Sequence, residues 1–179
     1  GFNLLFFGGV VPQKGIVNLV RAVRATEAYQ VFLTIAGKVS DSFKEELLTE
    51  IQATKNIDLR LGYLDEDEIP KLFSDHDCLI LPYKKGWNAT SGPLHQAIEF
   101  NLPVIVTDVP QLSYIVNKHK IGLVSEGHDV LNLSKAIINM KHRYSNFHKQ
   151  LSVSRERLSY DNLAKNITDT VGVNFAKER

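Results

Sequence analysis

Lys14 and the stretch from Leu81 to Val106 hold the residue types best suited to chemistry. The stretch reads L-P-Y-K-K-G-W-N-A-T-S-G-P-L-H-Q-A-I-E-F-N-L-P-V-I-V: strand end, glycine-containing loop, helix start, short helix, second apolar strand. Thr90 and Ser91 are of the type that caps a helix, and Gly92 and Pro93 fall in its first turn, where a missing N–H costs little. Leu94, Ala97 and Ile98 supply its buried stripe. A helix start after a strand presents unpaired backbone N–H groups and the positive end of the dipole, which suits an anion such as a phosphate. Asn88 precedes Gln96 by eight positions, so one amide lies in the loop and the other on the helix. Lys14 stands in F-F-G-G-V-V-P-Q-K-G, a glycine-bearing loop before a helix, where the plainest role is that of a surface lysine. That loop is neither G-x-x-x-x-G-K-[ST] nor G-x-G-x-x-G, which removes the P-loop and dinucleotide readings.

The elements that must position these residues follow from the hydrophobic pattern. Phe2 to Phe7 is apolar apart from Asn3, as expected of a strand buried on both faces, and Gly8-Gly9 ends it. Further strands are expected at Val31–Ala36, Ile57–Leu61, Cys78–Leu81, Pro103–Val106 and Ile121–Val124. Helical faces are carried by Ile16, Leu19, Val20 and Val23, then by Phe43, Leu47, Leu48 and Ile51. An acidic helix start is expected at Asp65 to Glu68, and a short helix near Leu112 to Val116. From Asp129 the pattern is helical, with Leu133, Ala136, Ile137 and Met140 on one face, and two more stretches follow near Phe147–Leu158 and Leu163–Val171.

Alternating strands and helices with strand-final glycines predict an α/β fold: a Rossmann-like, doubly wound parallel sheet of about six strands with helices on both faces. Ligands of such sheets bind outside the carboxyl ends of the strands. The loops Gly8–Lys14, Gly37-Lys38, Gly62–Leu64, Pro82–Leu94 and Thr107–Val109 all fall on that edge, and together they make a cleft.

Composition excludes several classes. The 179 residues suit one domain, and 44% hydrophobic with 23% charged residues is the balance of a soluble globular chain. A formal net charge of +1 with scattered cations leaves no electrostatic footprint for nucleic acid. No apolar run approaches the roughly 20 residues needed to cross a bilayer. The single cysteine, Cys78, can form no internal disulfide, so a reduced, cytoplasmic compartment is expected. The chain starts at Gly1 directly before a strand and holds one methionine, Met140; it is expected to be one domain cut from a longer, two-domain protein.

With these motifs in place, the central stretch resembles the donor-binding loop and helix of retaining GT-B glycosyltransferases of the large group 1 family (family 4). Their pattern is glutamate, seven residues, glutamate, then a small or apolar run and P-V-I. Asn88 and Gln96 fall on the two glutamate positions, and Ser91-Gly92-Pro93-Leu94 matches the S-G-x-L of a family variant. The opening loop is similar to the family's F-V-G-R-x-x-x-x-K-G, with Lys14 on the lysine and Gly9 on the arginine. Gly37-Lys38 and Gly62-Tyr63-Leu64 resemble the "A-G" loop and the "G-Y/F-x" loop beside the nucleobase. The likeness runs to about Met140, and the last helices match the tail that folds back in such enzymes.

The resemblance implies half of a GT-B enzyme: a nucleotide-sugar-binding domain over residues 1–179, whose acceptor site lies in an absent N-terminal domain. The implied reaction is retaining transfer of a sugar from a nucleoside-diphosphate donor to an acceptor, with no metal or other cofactor. Lys14 would stabilise the departing diphosphate, because a fixed cation offsets charge that builds on the leaving group. Gly8, Gly9, Thr90, Ser91, Gly92, Pro93 and Leu94 would line the diphosphate and sugar, partly through backbone amides. Gln96 would hold a ribose hydroxyl and Asn88 the sugar ring, without the charge-assisted bonds of glutamates. Gly37, Lys38, Tyr63 and Leu64 complete the expected contacts, with Tyr83 and Trp87 flanking the cleft as packing. The implied partners are the donor and the chain's own N-terminal domain; any peripheral membrane association is expected only through that half. A bacterial surface polysaccharide or glycolipid would be the product, and the isolated fragment is expected to be inactive. Asp75-His76-Asp77 has the look of a metal–nucleotide D-x-D, yet it precedes a strand and so lies at the wrong edge. The changes at Gly9, Asn88 and Gln96 keep open a donor-binding or assembly module without catalysis. A sugar-nucleotide epimerase-like domain is the third reading, for which Asp108 is the sole strand-end candidate.

Overall fold

The computed structural model describes residues 1–52, 54–89 and 91–158, the last two of these by backbone alone. Six strands alternate with seven helices among them: β1 (Phe2–Phe7), α1 (Ile16–Ala25), β2 (Val31–Gly37), α2 (Asp41–Ile51), β3 (Ile57–Leu61), α3 (Glu68–Ser74), β4 (Cys78–Leu81), α4 (Gly92–Glu99), β5 (Val104–Thr107), α5 (Pro110–His119), β6 (Gly122–Ser125), α6 (Val130–Arg143) and α7 (His148–Leu158). The strands form one parallel sheet in the order β3-β2-β1-β4-β5-β6. The order reverses between β1 and β4, which opens a crevice beyond their carboxyl ends. The loops carrying Lys14 and Asn88 leave these two strands.

The apolar runs explain the layout. Leu4, Leu5 and Phe6 of β1 and every residue of β4 and β5 are buried, as central parallel strands covered on both faces must be. At the sheet's edge β3 alternates between half-buried and exposed residues instead. On one side α1 packs against α2 and α6; a second group joins α7 to α4 and α5. Truncating a fully buried leucine such as Leu5 to alanine would cost about 2–5 kcal/mol. Cys78 is buried within β4, and burial pushes its thiol pKa well up, so it is an unreactive core residue.

Some boundaries differ from the sequence expectation. The strands expected at 103–106 and 121–124 each lie one residue later. The acidic start at Asp65 is a turn, in which the Glu68 carboxylate accepts from the Asp65 N–H at 3.2 Å, and α3 begins at Glu68 itself. Leu48 is exposed, because α2 buries only the narrow stripe of Phe43 and Leu47. The helical pattern expected from Asp129 is α6, which Asp129 caps, its carboxylate accepting from the Asn132 N–H at 3.0 Å. The helix expected near Leu163–Val171 lies outside the described residues. No described helix is long and apolar enough to cross a membrane.

Candidate functional site

Backbone geometry at the carboxyl edge is set by glycines. Gly8, Gly37 and Gly62 end β1, β2 and β3 with φ of +113°, +137° and +137°, values that L side chains rarely adopt. They are laced together: the Gly8 N–H donates to Ala36 O at 2.9 Å, and the Gly62 N–H to Gly37 O at 3.1 Å. A Cβ on Gly37 would stand 2.1 Å from Gly8 O, so the two loops meet through backbone alone. Gly15 makes the second close approach, where a Cβ would lie 2.0 Å from Pro82 O. The Lys84 N–H donates to Gln13 O at 3.0 Å across the same junction. The 3-10 turn Pro12–Lys14 is therefore clamped onto the loop that follows β4.

This clamp sets the position of Lys14. The side chain is only 8% exposed, although it belongs to a loop. Its Nζ lies 5.2 Å from the Tyr83 ring centre, 5.5 Å from Trp87 and 5.9 Å from Phe6. A Cβ placed on Gly8 would be 3.4 Å from this Nζ and 3.2 Å from Pro93 Cγ, which puts the ammonium beside the start of α4. Among the described residues no carboxylate pairs with Lys14 and no acceptor takes a hydrogen bond from its ammonium. Burial without a counter-charge lowers its pKa from the ordinary lysine value.

The start of α4 is open. Ser91 is the N-cap residue by backbone conformation, but its side chain makes no capping hydrogen bond, contrary to expectation. The reason is packing: Ser91 is buried beneath the loop, and its Oγ sits 3.4 Å from the Tyr83 hydroxyl. Thr90, the other expected cap, lies outside the described residues. The Leu94 N–H already donates to Ser91 O at 3.2 Å and its side chain belongs to the core, whereas no described residue accepts from the exposed Gly92 N–H. Pro93 occupies the first turn as expected.

The flanking residues divide by exposure. Asn88 is exposed and Gln96 half-buried, and neither amide has a partner among the described residues. Gly9 is exposed next to the Lys14 ammonium. On the β2–β3 side the Lys38 Nζ stacks 5.2 Å from the ring of Tyr63, which is 86% exposed, while Leu64 packs against the core. Ser40, two residues beyond Lys38, holds the one buried side-chain oxygen without a partner among the described residues. Tyr83 and Trp87, expected to pack at the rim, do so with ring centres 4.8 Å apart, and they also face Lys14. Two aromatics four residues apart around Gly86 were the only sequence signal of that contact.

The D-x-D look-alike lies at the other edge. The Asp77 carboxylate accepts from the Asn3 N–H at 2.8 Å where β1 and β4 begin. Among the described residues no cluster of histidine, cysteine or carboxylate groups could hold a metal ion.

Three comparisons bear on this geometry. The sequence profile of the family described as "Glycosyl transferases group 1" matches residues 2–157. Among solved structures, the C-terminal domain of a group 1 family glycosyl transferase from Francisella tularensis superposes with a TM-score of 0.72 at 18% identity, covering 88% of this chain and 87% of that one. The Anabaena protein HepE, crystallised with UDP, superposes with a TM-score of 0.79 at 16% identity over 97% of this chain and 49% of its own. A curated relative, an uncharacterised 41.2 kDa protein in the cps region of Klebsiella pneumoniae, is 24% identical over 123 residues, 68% of this chain. The chain spans 32% of that relative's length.

Proposed function

The chain belongs to the group 1 glycosyl transferases, and on that premise we propose that it is the donor-binding half of a GT-B enzyme that takes a nucleoside-diphosphate sugar. The observation that carries this reading is Lys14: 8% exposed, without an anionic partner among the described residues, and with its ammonium beside the start of α4, where Ser91 makes no capping bond. A cation and a helix dipole converging on one point favour an anion there. The position is also the switch point between β1 and β4, where this sheet class binds its ligands.

In the proposed reaction the bond between the sugar's anomeric carbon and the diphosphate oxygen breaks, and the electron pair stays on the diphosphate. Lys14 and the Gly92 N–H at the start of α4 stabilise that developing charge without a metal. Asn88 and Gln96 present neutral amides to sugar and ribose hydroxyls, and the exposed face of Tyr63 with Lys38 lies on the side of the nucleobase. An acceptor hydroxyl, bound to a domain outside this chain, forms the new bond to the anomeric carbon and gives its proton to the departing diphosphate, and the anomeric configuration is retained. HepE, crystallised with UDP, supports a uridine donor as the first to try. The neutral residues Gly9, Asn88 and Gln96 favour a second reading, a donor-binding module that does not turn over.

A thermal-shift titration with UDP, GDP, ADP and their sugars tests the proposal. A ligand present at about 100 times its dissociation constant raises apparent stability by roughly 2.7 kcal/mol. Stabilisation by one diphosphate, lost in Lys14→Ala, is the expected result. Equal response of wild type and Lys14→Ala would remove Lys14 from the site, and flat curves for every nucleotide would remove the diphosphate reading. Turnover by the full-length protein separates the two readings.

A further inference from the structure

We propose that Tyr83 and Trp87 are positioning residues for the donor diphosphate: their ring faces aim the Lys14 ammonium at the start of α4 without neutralising it. The inference rests on the diphosphate reading above and deepens it. A lysine in a surface loop ordinarily extends into water, because its ammonium is strongly hydrated and its stem is flexible. Lys14 does not, and among the described residues no carboxylate or hydrogen-bond acceptor holds it. What faces the ammonium is a set of aromatic rings, each within the roughly 6 Å range over which a ring quadrupole attracts a cation.

The rings are braced independently of the lysine. Tyr83 is 1% exposed, its carbonyl accepts from Thr107 Oγ1 at 2.6 Å, and its hydroxyl meets Ser91 at the helix start. The Trp87 indole N–H donates to Ala89 O at 2.9 Å, and its ring leans on Tyr83. The chemistry of the clamp matters. A carboxylate would fix the ammonium equally well, but it would cancel its charge and compete with an incoming phosphate. A neutral ring orients the cation and leaves its full charge for the ligand. Burial of the side chain also lowers the Lys14 pKa. Because Gly9 stands where the resemblance expects an arginine, this lysine is the single cation of its loop, and its placement carries more of the task.

Trp87 is half-exposed and therefore the better residue to change. Calorimetric titration of the chain with inorganic pyrophosphate and with UDP is expected to give affinities for Trp87→Phe close to wild type. Trp87→Leu, apolar but without a quadrupole, is expected to bind about tenfold more weakly. Tyr83→Phe, which keeps the ring, is expected to retain binding. A ligand-free readout accompanies these. In carbon-13 lysine spectra the ε-methylene of Lys14 should be shifted upfield by ring currents, with much of that shift lost in Trp87→Leu. Wild-type affinity in Trp87→Leu would overturn the positioning role, even with the ring-current shift present. A wild-type chain that binds neither pyrophosphate nor UDP would overturn the role together with the diphosphate reading. A Lys14 ε-methylene at the ordinary lysine position would overturn the cage itself and leave the diphosphate reading standing.

Discussion

Lys14 is buried and His76 half-buried; both are basic and near an end of β4, yet the molecule treats them in opposite ways. His76 stands just before β4, where its Nδ1 lies 2.6 Å from Leu72 O and its Nε2 2.8 Å from Thr34 Oγ1. A neutral ring that donates from Nδ1 and accepts from the threonine hydroxyl satisfies every group involved. Asp77 beside it is spent on the Asn3 N–H. Around Lys14, past the other end of β4, the described residues leave polar capacity unmet: the ammonium has no anionic partner, and Ser91 makes no capping bond at the helix start. Polar groups satisfied from within hold a fold together, whereas buried groups left unmet cost stability and mark where a ligand belongs.

The largest expected effect comes from breaking the backbone that shapes the open edge. Gly37→Ala places a Cβ 2.1 Å from Gly8 O at a φ of +137°, and a loss of about 3 kcal/mol or more is expected in urea unfolding. Lys14→Met comes next and pulls two properties apart. Diphosphate affinity is expected to fall about a hundredfold by calorimetry, in line with the roughly 1.5–3 kcal/mol of a charged hydrogen bond. The melting temperature of the free chain is expected to hold or rise, since the substitution removes an unpaired buried charge. His76→Ala should do the reverse. It leaves the Leu72 carbonyl and the Thr34 hydroxyl unpaired, for a cost of about 1–3 kcal/mol in denaturant, with diphosphate affinity unchanged.

The smallest effect is on pH dependence. Burial lowers the His76 pKa in the fold, so below the ordinary histidine value of about 6.5 the unfolded chain binds the extra proton first. Stability is therefore expected to decline as pH falls from about 6.5 toward the folded-state pKa, and the decline should vanish in His76→Phe. Lys14 has the same sign at the other end of the scale. Its folded pKa is depressed, so the cost of its buried charge is present in full at neutral pH and eases as pH rises toward the ordinary lysine value.

The contrast between the two edges was only partly legible in the sequence. The apolar runs of β1, β4 and β5 and their strand-final glycines report local burial and turn chemistry, so the sheet and its ligand edge could be read directly. The rejection of Asp75-His76-Asp77 followed from its place before a strand, and the Asp77–Asn3 bond bears that placement out. Contacts across the chain had no such signature. Tyr83 and Trp87 meet a lysine some seventy positions earlier, through a junction fixed by Gly15 against Pro82, and no period records it. Ser91 has the chemistry of a cap, but tertiary burial turned its oxygen to Tyr83 instead. Leu48 fits a helical stripe, yet α2 has too little to cover for that stripe to be used in full.

The central claim is that Lys14 is an unpaired cation awaiting a diphosphate, and proton linkage tests it most directly. Calorimetric binding of UDP near pH 9, repeated in buffers of different ionisation enthalpy, counts the protons exchanged on binding. Because burial lowers the Lys14 pKa and a bound phosphate would raise it, the free chain should take up protons with the ligand. That uptake should grow with pH and be absent from Lys14→Met. Binding of equal strength in both chains with no proton uptake in either would contradict the claim.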